Sequence, residues 1–229
     1  MKKPLLSLFL ALLALPALHC AAADRPERIP VGEPTAKPAG DGWIDLFAPE
    51  RAGDWANVTD KKDGIFSIAD GQMVITGTKP TRYIAYQGET FGDFELHVEF
   101  KTGADANSGV FFRTDPSDPV QKGMEVQIMT DHGVAPNRQG SGSLYDVATP
   151  MWNLVRPMGE WNSYDITCQG SKLVVVLNGW RVLDIDLATL TMPIGKFDTP
   201  LAELPRTGHV ILQDHGGAVT FRNLLIRKL

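Results

Sequence analysis

The chain has 229 residues, 22 basic and 27 acidic side chains, and a formal net charge of −5. An acidic balance without a basic stripe excludes a nucleic-acid partner, whose phosphates need clustered Lys and Arg. The cysteines are Cys20 and Cys168, too few for a disulfide framework.

Residues 1–23 read as a secretory signal. Lys2 and Lys3 form a basic start, Leu5 to Leu18 is apolar apart from Ser7 and Pro16, and Ala21-Ala22-Ala23 supplies small residues. The apolar run is shorter than the about 20 residues a membrane span needs, so no span is expected after cleavage. The expected location is periplasmic or secreted. Lipidation at Cys20 is the lesser reading, because His19 stands where a small residue belongs. The signal carries two Lys and no acid, which leaves 20 basic against 27 acidic residues and a net charge of −7. Residues 24–41 contain Pro26, Pro30, Pro34 and Pro38 with no apolar period, the composition of an extended linker.

From residue 42 the pattern is one of short strands. Gly42-Trp-Ile-Asp-Leu-Phe47 opens it. Phe66–Ala69 and Gln72–Thr76 flank Asp70-Gly71, a hairpin signal, and Tyr83–Tyr86 follows. Phe94–Lys101 alternates cleanly. Phe94, Leu96, Val98 and Phe100 share one face, and Glu95, His97, Glu99 and Lys101 share the other, expected as ordinary solvated surface. Asn107–Arg113 and Gly123–Asp131 come next, and His132–Gly159 then shows no period. Trp161–Cys168, Leu173–Leu177 and Trp180–Asp186 resume it, the last two joined by Asn178-Gly179. His209–His215 and Val219–Arg227 close the chain. About a dozen strands and no amphipathic helix make this an all-β domain over 42–229, a sandwich or barrel. Cys168 lies in a strand and reads as a buried small hydrophobe.

The polar faces of three strands are unusual. Met124, Val126 and Ile128 point one way, and Glu125, Gln127 and Met129 the other. On the last-but-one strand Gln213 and His215 share a face in the same manner. If these strands are neighbours on a concave sheet, Arg113, Glu125, Gln127, Gln213 and His215 converge on one polar floor. A plain solvated sheet face is the competing reading. Paired-carboxylate glycoside hydrolysis needs two carboxyl groups about 5–9.5 Å apart. Glu125 has no such partner on its own strand, since Asp131 would be about 20 Å away. No metal-ligand, phosphate-loop or nucleophile-elbow spacing is present.

Six segments in order resemble the 3-keto-disaccharide hydrolase domain family: Gly42–Phe47, Asn107–Arg113, Gly123–Ile128, Gly159-Glu-Trp-Asn162, Leu177-Asn-Gly179, and His215 with Val219–Asn223. The resemblance implies a two-sheet antiparallel jelly-roll sandwich of the concanavalin or glucanase type, acting on oxidised (3-keto) disaccharides or glycosides. It carries over Asn107, Ser108, Arg113, Glu125, Gln127, Tyr145 and His215 as site residues. In that chemistry a C3 ketone acidifies the C2 proton and the C1 oxygen leaves by elimination, after which water adds. Glu125 or His215 is then the expected base, Arg113 the enolate stabiliser, and Tyr145 the proton donor. Asn107, Ser108, Gln127, Gln213 and Trp152 are the expected substrate contacts. A divalent cation could replace Arg113 as electrophile. The competing class is a lectin-like binding module, with Trp152 and Tyr145 stacking on sugar faces.

Overall fold

The computed structural model describes residues 31–229 apart from 61 and 78. The expected signal, Cys20, Pro26 and Pro30 lie outside the described residues. No helix among the described residues is long and apolar enough to cross a membrane.

The strands in chain order are β1 (Ile44–Asp45), β2 (Trp55–Asn57), β3 (Phe66–Ala69), β4 (Gln72–Ile75), β5 (Arg82–Tyr86), β6 (Phe94–Thr102), β7 (Asn107–Thr114), β8 (Met124–Met129), β9 (Asn162–Gln169), β10 (Lys172–Leu177), β11 (Trp180–Asp186), β12 (His209–Asp214) and β13 (Val219–Lys228). Helix among the described residues is limited to two short 3-10 turns, Ala52–Asp54 and Leu187–Thr189. The strands form two antiparallel sheets. One has eight strands in the order β11-β10-β9-β6-β13-β4-β3, with β1 also on β13. The other has five, β2-β5-β12-β7-β8. Both hairpin signals hold, since Asp70-Gly71 and Asn178-Gly179 have positive φ at both turn residues.

Alternation builds the core. Phe94, Leu96, Val98 and Phe100 of β6 are at most 1% exposed, and they face Val110, Phe112, Val126, Ile128, Val210 and Leu212 from the smaller sheet. The Phe94 and Phe112 rings meet across the sandwich edge-on, with centroids 6.2 Å apart. Each such side chain contributes about 1.5–3 kcal/mol by leaving water. Cys168 is fully buried, and desolvation pushes its thiol up to about 12, so it is an inert core residue.

The outer face of β6 differs from the expected solvated surface. His97 is 0% exposed and its Nδ1 lies 2.7 Å from Asp165 Oδ1, while buried Glu99 accepts from Arg222 and Asn223. Described residues of the segment expected as an extended linker cross this face. The Thr35 backbone N–H donates to Ser163 Oγ at 2.8 Å, and its hydroxyl donates to Asp165 Oδ2 at 2.7 Å. Glu33 N–H donates to Asn178 O, and Arg156 donates to Gly32 O. Residues 32–35 are therefore a strap seated on the larger sheet. Composition identified the Pro-rich segment, but its docking depends on β9 partners that are distant in sequence.

Candidate active site

The face of the five-stranded sheet turned away from the core carries a second, smaller apolar cluster. Ala85, Phe111 and Ile211 are buried there, with Tyr83 packed edge-on against Phe111. Beside it lies a cavity of about 270 Å³ lined by Thr81, Tyr83, Asn107, Val120, Glu125, Gln127, Tyr145, Lys196, Gln213 and His215. The neighbouring strands place Glu125, Gln127, Gln213 and His215 together, as their alternation predicts, and Asn107, which the resemblance carried over, joins them.

Glu125 dominates the electrostatics. It is 3% exposed, and its Oε1 has no hydrogen-bond partner in the described structure. Desolvation is the largest influence and raises its carboxyl from an ordinary 4.5 to about 7, against the pull of Lys196. Lys196 Nζ lies 3.6 Å from Glu125 Oε2. It also sits 5.1–5.4 Å from the ring centres of Phe111, Tyr145 and Phe197. Burial lowers the Lys196 pKa, and Glu125 opposes that shift. Gly109 leaves room for the carboxylate, because a Cβ there would stand 2.2 Å from Glu125 Oε1.

A hydrogen-bond chain fixes the state of His215. Ile128 N–H can only donate, and it reaches Gln127 Oε1 at 3.1 Å. Gln127 Nε2 then donates to Asn107 Oδ1 at 3.3 Å, which turns Asn107 Nδ2 toward His215 Nδ1 at 3.2 Å. His215 Nδ1 therefore accepts, and the proton of the neutral ring is on Nε2. In this tautomer the imidazole offers its Nε2–H as a hydrogen-bond donor. Buried Gln213 leaves its own Oε1 unpartnered.

Tyr145 lines the cavity as expected. It reaches there because 142–145 pairs along the free edge of β8, with Tyr145 N–H donating to Glu125 O and Gln127 N–H to Ser143 O. Burial first, then Glu125 and Asp146, raises the Tyr145 pKa, which keeps the phenol protonated. Ser108 points to the other side of β7, where its hydroxyl donates to Gln213 O at 2.6 Å, so it positions β12 and does not line the cavity. Trp152 does not line the cavity either. It is 39% exposed, beside Met151, whose N–H donates to Val182 O of β11.

Arg113 is the main correction to the expected site. The register of β7 against β12 shifts between His209 and Ile211, and Arg113 has φ +50° at that irregularity. The period-2 rule breaks there, and the side chain leaves the polar face. Its guanidinium is buried and donates to Gly92 O and Gly170 O, both at 2.8 Å, and to Asp93 Oδ1 at 2.9 Å. It joins the β9–β10 turn to the approach to β6. The cation at the cavity is Lys196, which sequence reasoning missed because it sits in the aperiodic 187–206 loop. Tyr83 was also missed, although the alternation of Tyr83-Ile84-Ala85-Tyr86 already put it on this face.

The cavity contains no second carboxylate. Asp131 is occupied by Ser141, whose hydroxyl and N–H donate to it at 2.6 and 2.9 Å. Among the described residues no three His, Cys, Asp or Glu side chains cluster closely enough to hold a metal ion.

A 3-keto-disaccharide hydrolase of Bacteroides thetaiotaomicron is 28% identical over 232 residues, covering 82% of this chain and 79% of that protein. A solved structure from Parabacteroides distasonis, assigned as a glycosyl hydrolase, is 28% identical with a TM-score of 0.71, covering 82% of this chain and 99% of the other. A non-specific endo-beta-1,3(4)-glucanase of family GH16 shares the jelly-roll fold at 11% identity and a TM-score of 0.54, over 87% of this chain and 96% of the other. Residues 42–227 match the model of one domain family across both sheets and the cavity, and the chain belongs to that family, the 3-keto-alpha-glucoside-1,2-lyase-like domains.

Proposed function

We propose that this protein is a carbohydrate-active enzyme that cleaves the glycosidic bond of 3-keto-glycosides by elimination followed by hydration. Family membership and the named relatives support glycosidase-type chemistry. The observation that carries the finer reading is a single desolvated carboxyl, with a pKa near 7, beside a partly buried cation. Direct hydrolysis by paired acids has no second carboxylate in this cavity. Elimination beside a ketone needs only one.

The roles follow from chemistry. C2–H and C3=O stand on adjacent carbons, so base and electrophile must be neighbours, as Glu125 and Lys196 are. Glu125 removes the C2 proton. The Lys196 ammonium, with the Tyr145 hydroxyl beside it, stabilises the charge that develops on the C3 oxygen. The C1 oxygen departs with the proton Glu125 has taken, while the His215 Nε2–H bonds to it. A carboxyl titrating near pH 7 both accepts and returns a proton at neutral pH. Water then adds across C1=C2. Glu125 takes a proton from it and delivers that proton to C2, giving net hydrolysis with one proton shuttle. Gln213 Oε1 and Tyr83 are placed to bind sugar hydroxyls.

Cleavage of a methyl 3-keto-glucoside in heavy water tests this. Elimination and hydration place one deuterium on C2 of the released keto-sugar. Cleavage without deuterium at C2, after correction for exchange of the free product, rules the mechanism out. Binding of unoxidised sugar without turnover of any keto-glycoside identifies a binding module instead.

A further inference from the structure

Lys196 is held more firmly than a simple counter-charge requires. It stands in a tight turn, where Phe197 N–H donates to Ile194 O at 3.1 Å and Gly195 has φ +57°. No side chain fits at Gly195, since a Cβ there would stand 2.1 Å from Asp146 O. The Gln121 amide clamps the turn from the other side. Its Nε2 donates to Lys196 O at 2.6 Å, and its Oε1 accepts from Asp198 N–H at 3.0 Å. The fixed backbone presents the amine to the cavity among the rings of Phe111, Tyr145 and Phe197. An ammonium carries three N–H donors. Its ion-pair partner here, Glu125 Oε2, lies at 3.6 Å, beyond ordinary hydrogen-bond length, and the side chain is only 14% exposed. Such surroundings satisfy an ammonium poorly and suit the free amine.

We infer that Lys196 is a carbonyl-capturing amine: its Nζ condenses with a small α-hydroxy ketone or aldehyde held in the cavity and forms an imine. The inference goes beyond the elimination reading, because it needs a carbonyl in the cavity and no glycosidic bond. Nζ adds to the carbonyl carbon, and one of its protons passes to the carbonyl oxygen to give a carbinolamine. The C–O bond then breaks. The oxygen leaves as water with a proton from the Glu125 carboxylic acid, and an iminium remains beside the Glu125 carboxylate. The starting pair is amine and acid, the final pair iminium and carboxylate, so charge and atoms balance. A hydroxyl next to the carbonyl finds an acceptor in Gln213 Oε1, which is buried and unpartnered. Burial lowers the Lys196 pKa, which favours the amine, while Glu125, Asp146 and Asp118 oppose that shift. Tyr145, Tyr83 and His215 line the same cavity. One proton divides the work of the residue. The ammonium serves the enolate, and the amine captures the carbonyl.

Dihydroxyacetone with sodium cyanoborohydride tests this, because the hydride reduces an iminium to a stable secondary amine. The wild-type protein is expected to gain the mass of one probe less one oxygen. Peptide mapping should place that mass on Lys196 about tenfold faster than on Lys122, Lys172 or Lys228, whose side chains are 53–60% exposed, because the cavity holds carbonyl and amine together. Lys196→Arg keeps a cation beside Glu125 and should lose this adduct. Label spread evenly over the exposed lysines, or an adduct formed as fast in Lys196→Arg, overturns the capture. If the variant does not fold, the wild-type map decides the point by itself. Capture by a protein that turns over no keto-glycoside overturns the elimination reading and leaves this inference standing. Turnover with no adduct at Lys196 overturns this inference alone.

Discussion

At the residue scale the site depends on one buried acid. Folding removes the Glu125 carboxyl from water, and a carboxylate suffers more from this than a carboxylic acid. The folded chain therefore holds its proton up to about pH 7, whereas the unfolded chain releases it near 4.5. Between those values the folded state binds more protons, so stability falls as pH rises. The shift corresponds to about 3 kcal/mol, fully expressed above pH 7. Glu125→Gln keeps the shape and removes the titration. Its melting temperature should match wild type near pH 4 and exceed it near pH 8, while kcat/KM drops by about 10²–10⁴. A constant difference across that range would show that the carboxyl does not titrate between the two states. The wild-type kcat/KM should also rise through about pH 7 as Glu125 ionises. At higher pH it should fall as Lys196 loses its proton, below the ordinary 10.5 because burial lowers that pKa.

At the scale of elements, strand alternation decides what a reader of the sequence can see. It assigned Glu125, Gln127 and Gln213 to one face because β8 and β12 are regular over those residues. It failed at Arg113 because an extra residue in β7, at the positive φ, turns the chain. Neither His97 nor Thr35 could be paired with Asp165 from local pattern, since the contacts span 68 and 130 residues. Lys196 arrives on a loop with no period at all, held where Gln121 Nε2 donates to Lys196 O at 2.6 Å. Arg113 gives the clearest test of the difference between site and scaffold. Arg113→Met leaves Gly92 O, Gly170 O and Asp93 without their charged donor. The expected loss is about 3 kcal/mol, or about 6–12 °C in melting temperature. The folded fraction should keep wild-type kcat/KM. Intact stability with lost turnover would return Arg113 to the catalytic group.

At the scale of the molecule, the two outer faces have separate duties. The five-stranded sheet carries the cavity, and the eight-stranded sheet carries a buried polar layer closed by the strap. Layers in a sandwich lie about 10 Å apart, so the strap acts on stability without touching the chemistry. Thr35 is the residue that locks it, because one side chain and its own N–H engage both Asp165 and Ser163 of β9. Thr35→Val keeps the shape and the N–H bond but removes the hydroxyl donor to Asp165. The carboxylate then keeps His97 and loses its other partner. Loss of one hydrogen bond to a charged group is worth about 1.5–3 kcal/mol, reduced here because the Asp165 side chain is 36% exposed. A fall of about 2–4 °C in melting temperature is expected. Hydrogen exchange should quicken in β9 and its neighbour β6, since local openings follow the contacts that hold an element down. Exchange in β7, β8 and β12 should stay at wild-type rates, as should kcat/KM. Faster exchange on the five-stranded sheet, or a change in turnover, would show that the strap reaches the site through the core, and the two faces would then have to be treated as one coupled unit.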